Sequence, residues 1–528
     1  MSGSGRRVRE SFLEKLVSSL RSGFGEVWRN NLGKVGLLIL VVIIVISIYA
    51  LATVPPDLPT KWKNRLAWSE YPTMVPPEWV KYLGVPVAEH RIYTGMEPMY
   101  SGVITPNNIK AVIPEYLNAL GAQQTIIGYT EIYRVEYELS DEAFPMGILT
   151  LFKPINNSVI VDRGANRTIQ VLPIILVSRP DGLNIIVGQE SSPVKITDLA
   201  FKNVTVVADI FWLDYVNYYS KQGIQLNMTP VDARSFAPKM IFGKPVGPKD
   251  FEPVTGTYNI YLILVYLGAH PKTIQQAIEN GLIGFEQVKI VVKGNAYGVF
   301  GTDNMGRDLW LAILYGFPVA VAVGLFAAVT SVIIGLVVGV VSGYYGGLID
   351  EFIQRVIDVL GNIPVLPILI LIGIVLQERP DVGPWEKLFI IIGFLVLLSW
   401  GGLAIIVRSM TLSIKAEPYI DAARAVGASN ARIIFRHIIP QILPYAMASL
   451  VFSVPGAIIT EAGLSVLGIE HGLPTWGKVL ADAQANRGVA YKMWWWILPP
   501  GAMLAITSLA FVLIGLAIET IVEPRLRR

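Results

Sequence analysis

Six apolar runs, each near the length of a bilayer crossing, constrain this chain more than any other feature: 35–54, 317–341, 359–376, 388–407, 442–460 and 497–518. A helix rising 1.5 Å per residue covers a hydrocarbon core of roughly 30 Å in about 20 residues. Inside the core every backbone N–H and C=O must be satisfied within the segment, which selects helices for isolated runs of this kind. Composition agrees, with 53% of residues hydrophobic and 16% charged, against roughly 25% charged in soluble proteins. The net charge of +3 gives no case for nucleic acid as a partner. The absence of cysteine excludes disulfides, thiolate metal sites and thiol nucleophiles. The fold class is therefore an α-helical polytopic membrane protein with six transmembrane helices, in contact with lipid.

Charge placement orients the spans. Residues 1–34 carry Arg6, Arg7, Arg9, Lys15, Arg21, Arg29 and Lys34 beside apolar residues at helical spacing, which predicts a cytosolic amphipathic segment on the inner membrane surface. The run 35–54 and its basic leader are too long for a cleaved signal peptide, so this run is read as the first span. Arg408, Lys415, Arg424, Arg432 and Arg436 place the 408–440 loop inside as well. Both termini are then cytosolic and residues 55–300 extracellular.

The 55–300 segment has a different character. Its apolar runs shrink to strand length at 147–152, 171–177, 204–213, 258–267 and 288–292, rich in β-branched and aromatic residues and bounded by Gly, Pro and Asn. One helix is predicted over 272–280. This reads as an inserted, mostly-β extracytoplasmic domain. Four N-x-S/T sequons, at Asn156, Asn166, Asn203 and Asn227, all fall within it, as candidate glycosylation sites on a segment outside the cell.

Between the fourth and fifth runs, residues 417–444 (EPYIDAARAVGASNARIIFRHIIPQILP) read as helix, break, helix. Pro418 suits a first helical turn, where its missing N–H costs nothing. Gly427 suits the left-handed residue past a helix end, and Ser429 or Asn430 can cap the next helix. A short helix pair on a cytosolic loop makes a knob for a soluble partner; the bland reading is an interfacial helical hairpin. Ahead of the second run stands GTDNMGRD, residues 301–308. Gly301 and Gly306 allow turns, while Asp303, Arg307 and Asp308 read as an ion-paired cap of the following helix, favoured over substrate contact. Gly335, Gly339 and Gly343 form a small-xxx-small seam for helix packing. Pro364 and Pro367 interrupt the third run, and Pro455 breaks the fifth. Prolines in a span free backbone carbonyls and need protein or water nearby, so these three, with Glu461 at the outer end of the fifth run, are candidates for a translocation path. A solvated interfacial acid is the equal alternative for Glu461. Trp494–Trp496 read as an outer aromatic belt.

These stretches carry a resemblance. Residues 417–444 resemble the EAA loop of ATP-binding-cassette importer permeases, which docks in a groove of the ATPase subunit. Asp421 stands where that family usually has Glu, Ile439 where it often has Leu, and His437 where the general pattern has Ile. GTDNMGRD (with Thr302), the block from Glu461 to Gly468, the block containing Trp476 and Gly477, and the Glu523–Arg528 terminus are similar to the C-type permease subunit of dipeptide and oligopeptide importers. The likeness is close over 298–528 and loose over 1–54, and those permeases have only a short loop where this chain has 55–300. It implies a type I importer permease fold with a permease core at 301–528 holding five of the helices. It also implies ATPase-coupling residues at Glu417, Asp421, Ala422, Ala423, Arg424, Gly427, Arg432, His437 and Pro440. The partners implied are a second homologous permease of the B-type, two ATP-binding subunits carrying ATP and Mg, and an extracytoplasmic substrate-binding protein. Peptides are the implied cargo, with oligosaccharides as the alternative.

Catalytic chemistry is not read in this chain. Residues 472–479 fit G-x-x-x-x-G-K, but Val479 replaces the Ser/Thr that would hold Mg, and Pro474 and Trp476 sit inside the loop. His90, His270, His437 and His471 have no ligand spacing, so no metal site is proposed. The chain reads as a non-catalytic subunit without a cofactor of its own. A membrane-anchored receptor is the reading from another class, and six spans weigh against it because one suffices for an anchor.

Overall fold

The computed structural model describes residues 27–122, 126–155, 169–190, 192–201 and 204–522. Most of the 1–34 segment, Asn156, Asn166, Asn203 and Glu523–Arg528 lie outside the described residues. The chain divides into two compact units, Arg65–Asp308 and a second made of Met1–Asn64 with Leu309–Arg528. Helices α1 (Asn31–Thr53) and α2 (Leu58–Lys63) open the described chain. The Asn30 side chain caps α1 by accepting from the Leu32 N–H at 2.9 Å.

The unit Arg65–Asp308 is built on antiparallel sheets. Its strands are β1 (Arg91–Tyr93), β2 (Tyr100–Ile104), β3 (Gly128–Leu139), β4 (Gly147–Pro154), β5 (Gln170–Ser178), β6 (Asn184–Gln189), β7 (Val194–Lys195) and β8 (Val204–Thr205). Helices α3 (Ala208–Ser220) and α4 (Pro230–Phe242) follow, then β9 (Gly243–Pro245), β10 (Phe251–Pro253), β11 (Gly256–Leu267), α5 (Pro271–Glu279) and β12 (Phe285–Lys293). The larger sheet runs β2-β3-β11-β5-β6 with β7 beside β5, and the smaller β1-β12-β4-β8. Side chains alternate across a strand, and here both faces of the central strands are apolar. Tyr137, Ile175, Val177 and Leu262 join one core with Ile148 and Ile290 of the smaller sheet and Phe211 and Ile241 of the helices. Ile132, Ile174, Leu176 and Ile263 pack on the other face with Ile104 and Ile113.

One strand expected from sequence is a helix instead. Pairing from 204 stops at Thr205, and α3 begins at Ala208. Phe211, Tyr215 and Tyr219 are four apart, so they fall on one face of the helix and are buried together. Helix α4 was also not anticipated, although Thr229-Pro230-Val231-Asp232 is a start signal: Thr229 and Asp232 form a reciprocal capping box with Pro230 in the first turn.

In the other unit, α6 (Leu309–Tyr345), α7 (Gly347–Asn362), α8 (Val365–Gln377), α9 (Pro384–Ser399), α10 (Gly401–Lys415), α11 (Pro418–Ala425) and α12 (Asn430–Ile433) lead through a π-helical turn, Ile434–Ile438, into α13 (Ile439–Val466). Then come α14 (Trp476–Ala485) and α15 (Trp494–Val522). Among the described residues, five segments are long and apolar enough to cross a membrane: α1, α6, Pro384–Lys415, Asn430–Val466 and Trp494–Glu519. A sixth is the α7–α8 pair, which is bent by 73°.

That bend falls within the third span expected over 359–376, where the prolines interrupt it. Pro364 caps α8, and the residue before a proline is pushed out of the helical region; Ile363 accordingly has ψ 125. Pro367 sits in the first turn of α8, where N–H groups have no intrahelical acceptor and proline is harmless. Pro455 does not break its span either, because α13 continues through it for 28 residues. A methyl added to Gly324 of α6 would stand 2.6 Å from Val454, so close packing holds α13 where one backbone bond is lost. Trp496 is 0% exposed and is a core residue rather than part of an outer belt. Gly33 and Gly36 of α1 lie directly on α15, with Ala510 O 2.8 Å from where a Gly36 side chain would start.

Candidate coupling site

The polar loop 416–438 is anchored before it is exposed. Gly335, Gly339 and Gly343 bring α6 backbone-close to α10: a methyl on Gly339 would lie 2.6 Å from Ala404 O, and one on Gly343 2.7 Å from Arg408 O. At the end of this seam the Lys415 ammonium donates to Tyr344 O at 2.7 Å, and the Tyr344 hydroxyl donates to Asn430 Oδ1 at 2.9 Å. Arg408 donates two hydrogen bonds of 2.5 Å to Asp350, tying α10 to α7. Ile420 of α11 and Ile433, Ile434 and Ile438 then close an apolar cluster with Val340, Tyr344 and Val407. A fully buried isoleucine contributes about 1.5–3 kcal/mol, whereas the exposed Asp421–Arg424 pair at 3.5 Å contributes well under about 1 kcal/mol. The isoleucines therefore hold the loop, and its charges remain free for another molecule.

The break between the two short helices follows from one backbone angle. Gly427 has φ +82, and its N–H donates to Arg424 O while Ala428 N–H donates to Ala423 O, both at 3.0 Å. This is the crossed pair of bonds that ends a helix on a left-handed residue. No atom lies within 4 Å of a side chain placed there, so the requirement is conformational and not steric. Ser429 takes the capping role, accepting from Arg432 N–H at 3.3 Å, and leaves Asn430 for Tyr344.

Among the sequence-predicted coupling residues, Glu417, Asp421, Ala422, Arg424, Gly427, Arg432 and Pro440 are exposed, and Ala423 and His437 are half-buried. Val426 joins them at 85% exposed and Phe435, in the π-helical turn, at 56%. Gln441 links Tyr419 and the His437 carbonyl, donating at 2.5 and 2.9 Å. Val426, Phe435 and Tyr344 were missed by sequence reasoning, and Asn430 was read as a candidate cap, not as a partner of Tyr344. Only the run of apolar residues at 433–435 hinted that one of them would face outward, since a helix cannot bury three in succession on one side.

The remaining predicted residues fall in other places. Gly301, Thr302, Asp303, Gly306, Arg307 and Asp308 belong to the β-rich unit. Asp303 accepts from the Met305 and Arg307 N–H groups at 2.9 Å and pairs with the Arg307 guanidinium. The pair is 1% and 4% exposed, so the ion pairing expected of these residues is a buried clasp. Burial raises the Asp303 carboxyl above the usual carboxylate range, with Arg307 opposing. Thr302 Oγ1 accepts from Val75 N–H, and Gly306 fits against the Trp68 and Tyr71 carbonyls. Trp476 lies on Gly316, donating to Ile313 O at 2.9 Å, and Gly477 packs on Ala462. Glu461 is buried and accepts from Thr475 (2.9 Å), Ser465 (3.3 Å) and His471 (2.9 Å), so the solvated alternative does not hold. Pro364 and Pro367 are exposed while Pro455 and Glu461 are buried, so the four share no single surface. Asn227 is exposed.

The family model described as "Binding-protein-dependent transport system inner membrane component" matches residues 332–528, which contain α10 to α13 and the anchored loop. A provisionally named peptide transport system permease protein of Brucella suis biovar 1 (strain 1330) is 39% identical over 274 residues, 51% of this chain and 88% of the relative. The oligopeptide transport system permease protein OppC of Bacillus subtilis (strain 168) is 33% identical over 231 residues, 43% of this chain and 72% of that protein. The dipeptide transport system permease protein DppC of the same strain is 34% identical over 231 residues, covering 43% and 69%.

Proposed function

The chain belongs to the binding-protein-dependent transport system inner membrane components, as a multi-pass permease of ATP-driven peptide import, and from that premise we propose that the loop 416–438 is where ATPase motion enters it. The observation carrying this reading is the two-sidedness of α11. Asp421, Ala422 and Arg424 of this helix and Val426 just past its end are exposed, while Ile420 is buried in the cluster with α6 and α10. Ala422 and Ala423 permit close approach of a partner groove, and Asp421 and Arg424 supply one charge of each sign for it to read.

Two ATP-binding subunits, closing on ATP and Mg, press on α11. The glycine seam passes that displacement to α6 and α10 as one body, a rigid-body switch between two packed states. A second, B-type permease completes the path along its interface with this chain. The loop and both termini face the cytosol, and the β-rich unit faces outward, where it receives or docks the substrate-binding protein. Its sequons accord with that side of the membrane.

Asp421→Arg and Gly427→Pro test the assignment. Each is expected to abolish co-purification of the ATPase subunits and ATP-dependent peptide uptake while the chain still inserts in the membrane. Intact uptake in both variants overturns the coupling role.

A further inference from the structure

At the end of the bundle away from α11, a cavity of about 340 Å³ is lined by Lys63, Gln377, Lys387, Gly468, Glu470 and Gly472. Helix α13 separates the two ends: its 28 residues span about 42 Å. Lys387 is only 8% exposed, yet its ammonium has no hydrogen-bond or ion-pair partner among the described residues, and Lys63 stands close enough for its charge to act on it. Buried lysines are rare without a counter-charge.

Of the four acids on the same loops, Glu378 is exposed and the other three are already engaged. Asp381 is held by two bonds from Arg379 at 2.9 and 2.8 Å. Glu386 accepts from Gly383 N–H at 3.0 Å. Glu470 is paired to Lys478, which also binds Asp482. The backbone makes room for the second cation, since a methyl on Gly472 would lie 2.6 Å from the Lys63 ammonium. Gln377 is spent on the Gly468 carbonyl at 2.7 Å, which fixes the cavity wall. The result is a polar hollow in which neither ammonium is ion-paired among the described residues, with Glu470 in its wall turned to Lys478 and Asp381 near enough for its charge to act on Lys387.

We propose that this hollow is an oxyanion site for the free terminal carboxylate of a peptide entering the membrane unit, an assignment that rests on the peptide-permease reading. Two ammonium donors converging on one carboxylate give charge-assisted hydrogen bonds, which are about twice as strong as neutral ones. A terminal residue with its carboxylate also fits a cavity at the small end of the ligand-pocket range.

The test uses the full chain in phosphatidylcholine nanodiscs with radiolabelled Ala-Ala-Ala. Saturable binding is expected, about tenfold weaker for the C-terminal amide and for Lys387→Gln. Lys63→Gln, at an exposed residue that does not threaten folding, is expected to weaken binding several-fold. Equal binding of acid and amide, or no effect of Lys63→Gln, overturns the site. Displacement by equimolar inorganic phosphate, or loss of binding when phosphatidylglycerol is added to the discs, also overturns it, in favour of phosphate or a lipid headgroup. Uptake by the assembled transporter separates the two levels. Import of Ala-Ala-Ala with unchanged KM in Lys63→Gln defeats the site alone, whereas import of no peptide from a mixed pool defeats the reading beneath it.

Discussion

Gly427 carries the bend of the coupling loop through its backbone alone. A residue with a Cβ in the left-handed region costs roughly 1–2 kcal/mol, and asparagine tolerates it best. Gly427→Val is therefore expected to reduce ATPase association strongly and Gly427→Asn only mildly, measured by co-purification yield. The position was legible because only one glycine lies between two capping patterns. Glu131 of β3 was not, because its partner Tyr266 is on β11 and nothing local marks the meeting. Its carboxylate accepts from Tyr266 at 2.6 Å without a neighbouring cation, and burial raises it above its ordinary value of 4.5. The folded state then holds the proton to higher pH than the unfolded state. Its stabilising contribution is full below the ordinary value and is lost as pH rises through the raised one. Glu131→Gln should flatten that stretch of the stability–pH curve, as read by urea unfolding across the acidic to neutral range.

At the scale of elements, the spacing of Gly335, Gly339 and Gly343 predicted close helix packing but could not say which helix would come. Three-residue spacers repeat in many membrane helices, and the choice of α10 depends on matching Ala404, Val407 and Thr411 across the seam. Gly339→Leu should cost at least about 1–3 kcal/mol by overpacking, lower the detergent Tm, and uncouple ATP hydrolysis from uptake. The bent third crossing was half legible: prolines announced an irregularity, but only the tertiary fold decides whether proline ends a helix, as at Pro364, or is carried through, as at Pro455. In the β-rich unit the clasp at Asp303 makes a sharper prediction. Asp303→Asn removes the carboxylate that faces the buried Arg307 guanidinium, which should cost about 3–5 kcal/mol; a limited-proteolysis time course should show faster cleavage near residues 68–75.

The whole molecule is two cores on one chain. Residues 65–308 have their own apolar interior in two layers, and the matched family region begins only at 332. Expressed alone, 65–308 should give a soluble, strand-rich domain with a single cooperative thermal transition, and an unfolded or aggregated product would contradict that. The insertion was visible from the change in run length, because spans and strands differ in the length of apolar sequence they require. Its helices were less visible, since Phe211, Tyr215 and Tyr219 also look like part of a strand-rich segment when read in isolation.

Helix α1 rests on α15, glycine to backbone. Translation makes α1 before α15, with roughly 440 residues between them. At about 5–20 residues per second the ribosome leaves α1 without α15 for some tens of seconds. During that interval the glycine face that meets α15 is unclaimed. Biogenesis of this permease is thus a waiting problem, and a chaperone or insertase that shields a lone small-residue groove is the factor whose depletion should reduce its yield most.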